Sequence, residues 1–135
     1  AIAREILSRE ITQVQDALMA EEIVVSAYKN AEDKRLIILD KQYPFQYALS
    51  KFTEPLFVIY FRPANNLWGV KAMRDDMKSF NNRKDFPSGW AGLRDEELQK
   101  ATGVDDAVFC HKGLFMAVAK SKEGAIKLAQ LALEN

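Results

Sequence analysis

The 135-residue chain sets 19 Lys and Arg against 19 Asp and Glu, a net charge of zero, and 48% of its residues are apolar. Those figures exclude a generically basic nucleic-acid binder and a disordered chain, and no apolar run approaches the roughly 18 residues of a membrane span. The lone Cys110 excludes an internal disulfide and a Cys-based zinc cluster, and one histidine excludes a His-rich metal site. A single domain in a reducing, intracellular compartment is expected, the cytoplasm first. Charges at Arg4, Glu5, Arg9 and Glu10 leave no apolar core for a secretory signal, and Ala1 in place of Met suggests a processed or excised chain.

From Ala1 to about Asn30, Leu7, Ile11, Val14, Leu18, Val25 and Tyr28 recur at spacings of three and four, which predicts one long amphipathic helix, set apart as a possible inter-domain connector from the domain over 31–135. The run Leu36-Ile37-Ile38-Leu39 is too short for a helix and reads as a buried strand, and Pro44 opens a short helix from about Phe45 to Lys51. Leu56 to Phe61 and Leu67 to Met73 read as a hairpin around Arg62-Pro63-Ala64-Asn65-Asn66. Periodicity then stops from Arg74 to Leu93, a length at which a loop is more often functional than idle. Asp95 starts a helix ending near Gly103, Ala107–Cys110 and Leu114–Ala119 flank a turn at Lys112-Gly113, and Ser121 caps a last helix to Leu133. The order predicts an α+β domain, a largely antiparallel sheet of about five strands with helices packed on it.

Three groups could contact a ligand. The long loop carries Arg83, Lys84 and Arg94 among Phe80, Phe86 and Trp90, and between Lys71 and Lys84 five basic residues face only Asp75 and Asp76. Phosphate contacts combined with base stacking use that mixture, whereas a loop whose aromatics plug the sheet uses it as well. His111 ends a strand, where an imidazole can face a cleft or simply shape a turn. Lys120 and Ser121 open the last helix, whose free N–H groups attract an anion, although Ser121 as a cap explains itself. The pairs Asp75-Asp76 and Asp105-Asp106 lack further ligands, so neither a metal site nor a catalytic residue is assigned.

Ser79-Phe80-Asn81-Asn82-Arg83-Lys84, Phe86-Pro87, Trp90 and Gly92-Leu93-Arg94-Asp95 together resemble the pattern of the C-terminal part of the Myg exonuclease family, an uncharacterised family distantly similar to DHH-type phosphoesterases. Val108-Phe109-Cys110-His111, Ser121-Lys122-Glu123-Gly124-Ala125 and Ile38-Leu39-Asp40-Lys41 with Pro44 are similar to three further family segments, whereas Ala117-Val118 stand where the family has a glycine pair. The resemblance implies a non-catalytic, substrate-binding domain of a metal-dependent nuclease or phosphoesterase. It further implies a separate N-terminal catalytic domain, in cis or in trans, that holds divalent Mn or Mg. Arg83, Arg94 and His111 would face the cleft between the two. Single-stranded RNA or a nucleotide is the implied substrate. The alternative is an interaction module, docking or homodimerising through the first helix.

Overall fold

The computed structural model describes residues 19–75 and 81–134. Residues 19–30 form α1, so the earlier part of the expected long helix lies outside the described residues. Then follow β1 (Leu36–Leu39), α2 (Gln46–Ser50), β2 (Phe57–Arg62), β3 (Leu67–Ala72), a 3-10 turn at Ser88–Trp90, α3 (Asp95–Thr102), β4 (Ala107–Cys110), β5 (Met116–Ala119) and α4 (Lys122–Glu134).

The five strands make one sheet in the order β1-β2-β3-β5-β4. Every pair is antiparallel except β1 with β2, which run parallel because α2 carries the chain back across the sheet between them. The architecture is the α+β domain that alternating apolar runs and short helices imply. The last strand begins at Met116 rather than Leu114, because Leu114 takes φ 60° inside the preceding turn.

Alternation along the strands builds two cores. On one face Phe57, Ile59, Val70, Ala117 and Ala119 meet Leu98 of α3 and Ala125, Leu128, Ala129 and Ala132 of α4. On the other, Ile37, Leu39, Val58 and Tyr60 meet Val24 of α1 and Ala48 and Leu49 of α2. From the sheet side, that second core draws among the described residues on β1, β2 and Met73 just after β3. The second face is therefore left open at the Lys71 end of β3, toward the segment before α2.

The segment expected as an open loop is partly paired. Arg74 and Asn82 form an antiparallel bridge, Arg83 N–H donates to the Met73 carbonyl at 2.7 Å, and Phe86 N–H donates to the Leu114 carbonyl at 3.1 Å. Backbone groups this close to the core need partners, and these bonds supply them. Phe86 and Trp90 sit in the first core at 1% and 6% exposure, with ring centroids 5.9 Å apart. Further on, Gly92 N–H donates to the Cys110 carbonyl and Cys110 N–H to the Leu93 carbonyl, each at 3.0 Å, so Gly92-Leu93-Arg94 covers the outer edge of β4.

Candidate functional site

The open part of the second face holds a groove of about 830 Å3. Its floor is Tyr60, which pairs across the hairpin with Gly69. The absence of a side chain at Gly69 lets the phenol lie over β3, and its hydroxyl reaches the sulfur of Met116 on β5 at 3.7 Å. Tyr43, Phe45 and Tyr47 line one side, from the segment that enters α2. Phe115 and Gly113 line the opposite side, from the β4–β5 turn. Lys71 and Arg74 add two cations, and no carboxylate occurs among the described lining residues.

Each wall is held by its own bonds. Gln46 brackets the Arg74 backbone, its amide oxygen accepting the Arg74 N–H at 3.3 Å and its amide nitrogen donating to the Arg74 carbonyl at 3.5 Å. On the far side the Gly113 N–H donates to His111 Nδ1 at 2.9 Å, and the His111 and Phe115 rings lie 4.4 Å apart. A Cβ on Gly113 would press on both at 3.1 Å. Burial raises the Tyr60 phenol above its ordinary pKa, against a smaller opposing pull from Arg62. Desolvation and then the Asp40 carboxylate raise Tyr43 likewise. Both phenols stay hydroxyl donors through the neutral range.

The residues singled out from the sequence are dispersed. Arg83 donates through one guanidinium nitrogen to the Pro55 carbonyl at 2.8 Å and through the other to the Ser50 carbonyl at 3.2 Å. It ties the loop to the end of α2. Trp90 is a buried anchor of that loop, a position that serves the anchoring alternative and not base stacking. Lys84 is half-buried, and Phe80 lies outside the described residues. Arg94 lies over the Phe109 ring at 5.2 Å to the centroid, exposed beside the β4 edge. His111 supports the groove through two lining residues, accepting the Gly113 N–H and packing on the Phe115 ring. Lys120 is exposed. Ser121 Oγ accepts the Gly124 N–H at 3.0 Å and donates to Asp106 Oδ2, so the anion at the start of α4 is a carboxylate of this chain.

Nothing in the sequence reading named the groove. The available signals were Gly69 inside an otherwise large-residue strand and the aromatic series Tyr43, Phe45 and Tyr47 around Pro44. No group of three or more His, Cys, Asp or Glu that could hold a metal ion occurs among the described residues. No helix of the described residues is long and apolar enough to cross a membrane.

Comparison with known proteins adds the family. The chain is 30% identical over 124 residues to the MYG1 protein of Schizosaccharomyces pombe, covering 87% of this chain and 38% of that protein. It is 39% identical over 79 residues to a MYG1 protein of Caenorhabditis elegans, covering 58% and 23%. It is 32% identical over 91 residues to the MYG1 exonuclease of Homo sapiens, covering 67% and 24%. The chain thus spans well under half the length of these relatives. No solved structure matches it. Residues 1–133 match the uncharacterised protein family UPF0160, MYG1_exonuc, and the chain belongs to that family.

Proposed function

We propose that this chain is the non-catalytic, C-terminal substrate-holding part of a MYG1-type, metal-dependent nuclease, whose catalytic part, with its Mn or Mg, acts from another domain. The observation that carries this reading is the groove under α2. It joins exposed aromatic rings, Tyr47 at 71% and Phe115 at 37%, to Lys71 and Arg74 with no carboxylate among the described lining residues. Aromatic faces hold bases and ammonium or guanidinium groups hold phosphates, which is the combination single strands require. Family membership and the share of each relative that the chain covers support a part of a larger nuclease-family protein. The substrate class is a single-stranded nucleic acid or nucleotide, and the contacting surface moves from the Arg83 loop to the groove.

Fluorescence anisotropy with a labelled single-stranded RNA tests it. The Lys71→Ala, Arg74→Ala double variant should bind more weakly, and the slope of log K against log salt should flatten by about 1.4, the loss of two phosphate contacts on a single strand. Unchanged affinity and slope would defeat the reading. A second reading, association through α1, rests on Met19 and Ile23, exposed at 58% and 38% one helical turn apart. Light scattering at high concentration decides it, since a strict monomer removes the homodimer.

A further inference from the structure

The groove has more chemistry than a phosphate track needs. Tyr60 is 3% exposed, and the only hydrogen-bond partner of its hydroxyl among the described residues is a thioether sulfur at 3.7 Å. A thioether is a weak acceptor, so a strong O–H donor lines a cavity with its capacity largely unspent. A buried donor with a weak partner carries a desolvation cost that a better acceptor would recover. Around it the groove offers two exposed ring faces, Tyr47 and Phe115, and one half-buried ammonium, Lys71.

We infer that the groove is a nucleobase subsite. An unstacked base lies against Tyr47 and Phe115, an acceptor on its polar edge receives the Tyr60 hydroxyl, and its phosphate meets Lys71. This rests on the substrate-holding reading above and adds what that reading lacks, a group that distinguishes one base from another. The volume of about 830 Å3 holds a nucleotide with room to spare, inside the range of small-molecule sites. An acidic peptide would satisfy Lys71 equally, but a peptide that adds as a strand needs an unpaired strand edge. The floor of the groove offers none, because β3 is hydrogen-bonded to β2 on one side and to β5 on the other. The amide of Gln42, also in the lining, presents both a donor and an acceptor, as base edges require.

Calorimetric titration of the 135-residue chain with the four ribonucleoside monophosphates, ribose 5-phosphate and a polyglutamate peptide tests the assignment. The monophosphates should bind about tenfold or more tighter than ribose 5-phosphate, the gain expected from base stacking. Tyr60→Phe keeps the ring over Gly69 and removes only the hydroxyl, so it should shrink the spread among the four bases to under about twofold. Lys71→Met should weaken every phosphate-bearing ligand, ribose 5-phosphate included, about tenfold. The inference is overturned if ribose 5-phosphate binds as well as the nucleotides, if Tyr60→Phe changes nothing, or if polyglutamate binds as tightly as the nucleotides. Failure of these arms with single-stranded RNA binding still lost in Lys71→Met removes the base subsite and leaves the substrate-holding reading. Failure of both arms removes both.

Discussion

The ring of Tyr60 fills the space that a side chain on Gly69 would occupy: a Cβ at position 69 would stand 2.5 Å from Tyr60 Cζ and 2.7 Å from its hydroxyl oxygen. Gly69→Ala should therefore lift the ring, at a cost of about 1–3 kcal/mol, the usual penalty of overpacking. Urea unfolding checks it. In Gly69→Ala combined with Tyr60→Ala the two losses should sum to less than their separate values, because the second change removes the clash created by the first.

Tyr47 is separable from stability because it is 71% exposed. Tyr47→Ala should leave the unfolding midpoint within the equivalent of about 0.5 kcal/mol, as surface changes do. RNA affinity measured by anisotropy should fall by about 1–3 kcal/mol, the value of one stacked base. Loss of stability without loss of binding would show that the ring serves α2 alone.

Arg83 should behave in the opposite way. Its guanidinium holds two carbonyls of residues 28 and 33 positions away, Pro55 and Ser50. Arg83→Ala should cost about 1–3 kcal/mol in unfolding experiments while leaving the salt dependence of RNA binding unchanged. Arg83→Lys should recover only part of the loss, since an ammonium cannot reproduce the planar fork.

Cys110 gives the pH dependence. Burial raises its thiol to about 11, because the thiolate would be desolvated against the core. With the folded value above the unfolded one, the stabilisation is complete below the unfolded pKa and is lost as pH rises toward about 11. Thermal melts across this alkaline range should show a decline that is smaller in Cys110→Ala. At pH 8 the folded chain should resist a thiol reagent that labels it promptly in denaturant.

The start of α4 is a three-part assembly of Asp106, Ser121 and Gly124. Ser121→Ala removes the cap on the Gly124 N–H and should cost about 1 kcal/mol. Gly124→Ala should cost more than a helix-favouring change normally returns, since the new methyl would meet Asp106 Cβ at 2.8 Å and Ala119 Cβ at 3.3 Å. Chemical denaturation of both variants measures the order, and an Ala at 124 that stabilises the protein would contradict the contact.

Much of the fold was legible because β1 and β2 announce themselves by apolar residues on both faces. Leu36-Ile37-Ile38-Leu39 and Phe57-Val58-Ile59-Tyr60 are buried at nearly every position, and the capping Ser121 and left-handed Gly103 mark helix ends where expected. The parallel pairing of β1 with β2 was not legible, since a five-residue helix between strands looks the same in either direction. The site was harder still. A guanidinium bound to carbonyls and one awaiting a phosphate have the same sequence, so Arg83 read as a ligand contact. The groove escaped because Tyr47, Tyr60, Lys71 and Phe115 belong to four segments that meet only after the sheet has formed.

β5, near the C-terminal end of the chain, is inserted between β3 and β4, with Trp68 opposite Ala119 and Lys71 opposite Met116. Until those late residues leave the ribosome, the hairpin of β2 and β3 has one bare side, and β4 has only its outer edge covered, by Gly92-Leu93-Arg94. Domains dominated by such distant pairings fold late and expose sticky edges while they wait. A nascent chain arrested with β5 still inside the ribosome should accordingly be protease-sensitive and held by chaperones, and emergence of β5 and α4 should convert it to the resistant form.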